Sequence, residues 1–358
     1  MKNFFYALRR RPVAMASFII LIMLYLAMGL AEFVAPYSPA ASFPDYSFHP
    51  PNTGWYSSEL GFGPQIQGYA VINEVTWKYA RLKGEHNRIS LFEKGEPYKL
   101  WGLIPAERHL FGVGPDSKYP LYLMGSDNLG RDLFSRIIYG SRISLSIGFI
   151  GIFISMTLAI LFGGLAGFYG GFVDWLIMRV SEFFILIPGL YLILFMRSIL
   201  SRNMDSGQSY MIITVILSFV GWPGSARLIR GMVHSIKRED FIQNAILEGI
   251  PAVSIIYKQI IPQMSSIIIV SIALGIPGFI LGETALSYLG LGIIDPAVSW
   301  GSLINRDIST INNLRNYPWV LTPGLFLLVT TLAFNFIGDL LRDVFDPYFK
   351  DRLNAGSK

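Results

Sequence analysis

Long charge-free apolar runs alternate along this chain with short clusters of charge. Runs with no charged residue cover Val13 to Ala31, Ile143 to Val173, Ser206 to Ala226, Gln259 to Gly282 and Asn316 to Gly338. A further run, Trp175 to Ile199, is broken only by Arg179 and Glu182 near its start and Arg197 near its end. A helix needs about 20 apolar residues to cross the hydrocarbon core of a bilayer, so the pattern predicts an all-α membrane protein with six transmembrane helices. Residues 36–123, between the first two runs, read differently. Short alternating pieces, "YAVINEVTWKYARL" and "RISLFEKG", lie among turns rich in Pro and Gly and predict strands. Plentiful aromatics favour a small folded insert over a disordered loop. The expected organisation is a terminus and first span at 1–35, the insert at 36–123, a five-helix core at 124–341 with a charged loop at 230–264, and a tail at 342–358.

Composition agrees with lipid. Only 15% of residues are charged and 52% are hydrophobic, whereas a soluble domain carries about 25% charged residues. The first run is longer than the apolar region of a signal peptide, about 7–15 residues, and shows no small-x-small cleavage site before Glu32. An uncleaved first span is therefore favoured. The formal charge of +5 lies mostly beside the apolar runs, where Lys and Arg orient a membrane protein; no nucleic-acid-binding signature is present. Cysteine is absent, which excludes disulfides and thiolate chemistry. His49, His86, His109 and His234 show no ligand spacing, so no metal site is expected.

Positive charge also sets the orientation. Lys2, Arg9, Arg10 and Arg11 precede the first span. Arg227, Arg230, Lys237, Arg238 and Lys258 follow the fourth, and Arg342, Lys350, Arg352 and Lys358 mark the tail. The opposite short connections hold only Arg197, Arg202, Arg306 and Arg315. The richer side is cytoplasmic. Both termini are then expected inside and the insert outside, although a loop longer than about 60 residues largely escapes this rule.

The charged loop carries the most informative pattern. In "KREDFIQNAILEGIPAVSIIYKQIIP", Phe241, Ile242, Ala245, Ile246 and Gly249 recur at helical spacing, with Glu239, Asp240, Gln243, Asn244 and Glu248 on the other face. Gly249 and Pro251 read as a helix stop. A short amphipathic helix across the ends of the spans is an interfacial helix packed on its own bundle, or a docking helix for a cytoplasmic partner. The residues alone favour neither.

"EDFIQNAILEG", with Pro262 thirteen residues after Gly249, resembles the EAA loop of ATP-binding cassette import permeases, whose coupling helix docks on the ATPase. Gln243, Asn244 and Ala245 stand where that loop has Glu-Ala-Ala, and Gln259 stands for its usual His. "GSDNLGRDLFSRIIYGSRISL", "GGLAGFYGGFVDWLIMR", "GWPGSARLIRG", "GETALSYLGLG" and "LAFNFIGDLLRDVFDP" resemble, in order, the C-type (second) subunit of oligopeptide/dipeptide/nickel permeases. The resemblance implies the type I importer permease fold and an ATP-driven, binding-protein-dependent importer in a prokaryotic inner membrane. It implies partners: a second permease, two ATPases that bind ATP and Mg, and an extracytoplasmic binding protein. This chain is not itself expected to be an enzyme or to bind a cofactor, since no phosphate-binding G-x-x-x-x-G-K-[ST] occurs. Peptides are the expected cargo, with oligosaccharides or nickel as alternatives; no cluster of His, Cys or Met suits nickel.

The remaining residues have plainer readings beside the functional ones. Gly125, Asp127, Gly130, Arg131 and Asp132 form the family signature, yet a capped turn would use the same residues. Gly163, Gly167 and Gly171 recur as in close helix packing. Arg179 and Glu182 read as a buried pair or a gate. Glu283, an ionisable group inside a span, is a pathway residue or a cap within the bundle. A secondary transporter would show repeats and intramembrane ion ligands, and neither is evident. A membrane-anchored receptor would need neither five further spans nor so short a tail.

Overall fold

The structure, a computed structural model, describes residues 2–74, 76–114, 117–199, 205–293, 295–308 and 311–345. Most of the expected tail therefore lies outside the described residues. Two compact units are present. One comprises Met1–Leu21, Ile147–Glu283 and Val329–Lys358, the other Ile22–Ser146 and Thr284–Leu328.

The chain opens with α1 (Lys2–Arg10), α2 (Pro12–Gly29) and the single turn α3 (Ala31–Val34). The insert follows as β1 (Thr53–Ser57), β2 (Gly61–Asn73), β3 (Lys78–Arg88), β4 (Ser90–Leu91), β5 (Lys94–Leu100), β6 (Ile104–Arg108) and β7 (Phe111–Gly112). Next come α4 (Leu133–Tyr169), α5 (Gly171–Leu186), α6 (Gly189–Ile199) and α7 (Ser206–Ile236). The loop forms α8 (Asp240–Leu247), α9 (Ala252–Ile255) and α10 (Ile261–Gln263). The chain continues through α11 (Ser265–Tyr288), α12 (Trp300–Asp307), α13 (Ile311–Asn316) and α14 (Thr322–Phe345).

Among the described residues, five helical stretches are long and apolar enough to cross a membrane: Pro12–Gly29, Leu133–Tyr169, Ser206–Ile236, Ser265–Tyr288 and Pro318–Phe345. The run expected as one span over Trp175 to Ile199 is two shorter helices, α5 and α6. Proline disfavours helical geometry in the residue before it and lacks an N–H; accordingly Ile187, ahead of Pro188, is extended at φ −80°, ψ 124°.

In the first unit, small residues bring α4 and α7 into backbone contact. A Cβ at Gly163 would lie 2.4 Å from the Ala226 carbonyl oxygen, and one at Gly167 2.6 Å from that of Arg230. Met156, Ala159, Trp222, Ala226, Ile229 and Val233 are buried along this contact. Asp174 of α5 holds Arg230 of α7 through a two-bonded ion pair, with Nε–Oδ1 at 2.7 Å.

In the second unit, β1, β2 and β3 form an antiparallel sheet in that order, with Ile66 opposite Thr53 on one side and Asn87 on the other. Ile66, Tyr119 and Leu121 are its buried core. Asn52 extends the backbone pairing with its side-chain amide, giving a bond to the Pro120 carbonyl and accepting one from the Tyr122 N–H, both at 2.8 Å. His49 lies among the rings of Tyr69, Tyr79 and Tyr122, and burial pushes it down to about 4. Arg142 of α4 grips Glu32 of α3 with two bonds, at 2.7 and 2.5 Å. The Trp300 indole, fully buried, donates to the Ile137 carbonyl at 3.0 Å.

Candidate functional site

The loop after α7 is built by its caps. Lys237 ends α7, and Glu239, extended at φ −67°, ψ 142°, starts α8 without a side-chain capping bond. Asp240 sits in the first turn, where negative charge suits the positive helix end. At the other end Gly249 adopts φ +76°. Its N–H donates to the Ile246 carbonyl at 3.0 Å, and the Ile250 N–H donates to the Ala245 carbonyl at 3.1 Å. This doubly bonded stop requires a left-handed residue at Gly249. Nothing lies within 4 Å of a Cβ added there, so the need for Gly is conformational and not steric. Pro251 then caps α9, and a widened turn at Ile256–Ile260 precedes Pro262, which has no N–H to give the carbonyl four residues back.

The apolar face expected over Phe241, Ile242, Ala245 and Ile246 is divided in the structure. Ile242 and Ala245 are buried in this chain's own core with Val233, Ile255, Ile256, Ile260 and Met264, and Ile246 packs against the same cluster. Positions 242, 245 and 246 form one stripe on a 3.6-residue helix, and the bundle takes that stripe. The outward face carries Asp240, Asn244 and Leu247, flanked by Phe241. Leu247 is 85% exposed and Phe241 46%. Leu247 was missed in the sequence; its phase, opposite Ile242, was the available signal. Glu239 and Glu248 are also exposed.

Two residues tie this helix to its neighbours. Gln243 donates through Nε2 to the Lys237 carbonyl at 2.6 Å, and the Lys237 ammonium donates to the Phe168 carbonyl at the end of α4. The expected buried pair on α5 is instead exposed: Arg179 meets Glu182 at 2.8 Å with its side chain 63% exposed, and Arg227 approaches the same carboxylate at 3.6 Å. Both residues lie on a face of α5 that this unit leaves uncovered.

The signature residues form a second, separate group. Asp127, wholly buried, accepts from the Leu129 N–H at 2.8 Å, the Arg131 N–H at 2.9 Å and the Arg131 Nε at 2.6 Å. Asp132 caps α4 by accepting from the Ser135 N–H at 2.7 Å and the Ser135 hydroxyl at 2.6 Å. Burial pushes its carboxyl up to about 7. Gly125 and Gly130 take φ +79° and +71°, and a Cβ at Gly130 would lie 1.9 Å from the Phe43 carbonyl oxygen. The capped-turn reading accounts for every one of these contacts. Sequence reasoning did not name Asp295, which receives Arg131 at 3.8 Å, Arg136 at 3.5 Å and Arg306; nothing near it in sequence marks it. Glu283 is fully buried within α11, beside Gly282, whose added Cβ would lie 2.9 Å from Leu217.

Comparison with known proteins concerns the chain as a whole. Residues 159–351 match the family described as binding-protein-dependent transport system inner membrane component. Residues 1–51 match the N-terminal TM domain of oligopeptide transport permease C. The chain is 38% identical over 232 residues to the oligopeptide transport system permease protein OppC of Haemophilus influenzae, covering 64% of this chain and 71% of that one. It is 37% identical over 295 residues to OppC of Escherichia coli K12, covering 79% and 94% respectively. Against the dipeptide transport system permease protein DppC of Bacillus subtilis it is 37% identical over 224 residues, covering 62% and 68%.

Proposed function

This chain belongs to the family of binding-protein-dependent transport system inner membrane components, and from that premise we propose that it is the C-type permease subunit of an ATP-driven importer of peptides. The relatives named for oligopeptide and dipeptide transport favour peptides. Oligosaccharides or nickel are the alternatives that a retained ligand would reveal. The chain works with a second, homologous permease, two cytoplasmic ATPases that bind ATP and Mg, and an extracytoplasmic binding protein. It has both termini in the cytoplasm and six crossings in the type I arrangement, α5 and α6 together making the crossing that neither makes alone.

The observation that carries the coupling role is α8: a short helix stopped at Gly249, with one face in its own bundle and an apolar, otherwise unused Leu247 and Phe241 on the other. ATP-driven closure of the ATPases moves α8, and the bundle it is packed into moves with it between outward-open and inward-open states, a rigid-body switch. Glu239, Asp240, Phe241, Gly249 and Pro262 shape that contact. Glu283 lies beside the path and Arg179–Glu182 on an uncovered face of α5 near its cytoplasmic end, while Gly125 to Asp132 hold the outer end of α4.

The test is to co-express this chain with its partner subunits, purify the complex and identify what its binding protein retains. A peptide is the expected ligand, with uptake dependent on ATP. Uptake driven by a proton or sodium gradient without ATP would overturn the reading.

A further inference from the structure

The insert contains an open cavity of about 460 Å³, within the size range of small-ligand sites. Five aromatic rings, those of Tyr37, Phe43, Tyr46, Phe111 and Tyr119, line it. Four charged side chains join them, and their pairing decides what the cavity attracts. Lys94 is engaged by Glu107 at 3.0 Å, and Lys118 lies 3.8 Å from Glu85 with its ammonium 5.4 Å over the Tyr119 ring. Glu93 and Glu96 have no ion-pair partner among the described residues. The free charge of the cavity is therefore negative.

The wall is held in place before any ligand arrives. His109, buried, faces the Ala35 carbonyl through Nδ1 at 2.6 Å and the Glu96 carbonyl through Nε2 at 3.1 Å. Gly95 packs so closely on that ring that a Cβ there would lie 2.6 Å from it, and a Cβ at Gly112 would lie 3.2 Å from Glu93 Cβ. Tyr37 and Phe43 meet edge to face at 5.4 Å. Glu93, just before β5, and Glu96, within it, are thus held on one short segment against the aromatic wall.

We infer that this cavity binds an organic cation, a primary ammonium or guanidinium group set among the aromatic rings and neutralised by Glu93 and Glu96. Ring faces carry negative potential that attracts such cations, and charge-assisted bonds to carboxylates add to it. An anion would meet two uncompensated carboxylates, and a neutral apolar ligand would strip them of water without replacing it. The same group can be carried by a free amine or by a lysine side chain on a polypeptide.

The experiment uses the full chain in lipid nanodiscs at pH 7, with binding followed by calorimetry. Benzylamine, a cation at that pH, is the free-amine probe, and benzyl alcohol is its neutral match. Acetyl-Gly-Lys-Gly-amide tests a lysine on a peptide chain. Saturable binding of a cationic probe is expected, without binding of the alcohol, and the double variant Glu93→Gln/Glu96→Gln should weaken it more than tenfold. Glu59→Gln, the same charge change elsewhere on the insert, should leave it unaltered. Binding of benzylamine identifies a free amine as the source, and binding of the peptide alone identifies a polypeptide lysine. The inference is overturned if neither cation binds, if benzyl alcohol binds equally, or if the double variant binds as the native chain does.

Discussion

The ammonium of Lys237 donates a 2.6 Å hydrogen bond to the backbone carbonyl of Phe168 and lies 5.1 Å above the same residue's ring. The final carbonyls of a helix lack partners within it, and positive charge suits that end. Phe168 lies in the last turn of α4, so Lys237 completes α4 while its own carbonyl receives Gln243 of α8. One residue therefore joins α4, α7 and α8. Lys237→Met keeps the stem and removes the donor. It is expected to lower cargo-stimulated ATP hydrolysis several-fold in the reconstituted importer, with Lys237→Arg recovering part of it. Equal stimulation in Lys237→Met would remove α4 from the linkage.

The two aspartates of the signature should respond differently to amidation. Asp127→Asn takes the charge from a buried carboxylate that holds Arg131 at 2.6 Å and faces Arg136 at 3.6 Å. Stranding a buried ion in this way costs about 3–5 kcal/mol. Asp132 is different because burial raises its carboxyl to about 7. A raised folded value means that the ionised form destabilises the fold as pH climbs from the ordinary carboxylate range through 7. Asp132→Asn keeps an oxygen for Ser135 and removes that penalty. Thermal unfolding of the detergent-solubilised chain at pH 8 should show a large loss for Asp127→Asn and little loss, or a gain, for Asp132→Asn. Equal losses would refute the assignment of their roles.

His49 predicts how the insert responds to acid. Its folded value lies near 4 because burial disfavours the charged ring, whereas an exposed His titrates near 6.5. Below about 6.5 the unfolded chain binds a proton that the folded chain refuses, so stability falls as pH drops toward 4 and levels off beneath it. The full effect is on the order of 3 kcal/mol. His49→Phe keeps a ring among Tyr69, Tyr79 and Tyr122 and cannot titrate. Limited proteolysis of the insert between pH 7 and 4.5 should accelerate in the native chain and much less in the variant.

The spans were legible because lipid demands long charge-free runs, and such runs survive in a one-dimensional reading. The break at Pro188 was less so, because a run judged by its few charges takes no account of a proline or of the N–H it lacks. "YAVINEVTWKYARL" carried the strand signal but holds the end of β2, a turn and the start of β3. Alternation marks extended chain without saying where it reverses. Gly249 was readable as a stop because its positive φ restricts the residue type. The cavity was not readable, since residues from 36 to 46, 93–96, 109–114 and 117–120 contribute to its wall and only the fold brings them together. Amphipathicity in α8 announced an apolar face but not which neighbour would cover it.

That last ambiguity makes the sharpest prediction. Ile242 is fully buried in the bundle and Leu247 is 85% exposed, although both are aliphatic and five residues apart on one short helix. Ile242→Ala should lower the stability of the chain by about 2–5 kcal/mol, the range for emptying a core position. Leu247→Ala should leave thermal unfolding within about 0.5 kcal/mol of native, as for surface changes. If α8 seats in a groove on the ATPase, Leu247 and Phe241 are its apolar anchors, and losing such an anchor weakens association by about 2 kcal/mol. Gly249→Val adds a third signature, because a β-branched residue at φ +76° strains the turn by about 1–3 kcal/mol without meeting any neighbour. Thermal unfolding of the purified chain and co-purification of the ATPase separate these effects. Leu247→Ala and Phe241→Ala are expected to insert and fold normally yet lose the ATPase, whereas Ile242→Ala loses stability first. Should both exposed-residue variants retain full ATPase binding and coupled transport, α8 would be a strut on its own bundle and the docking role would fall.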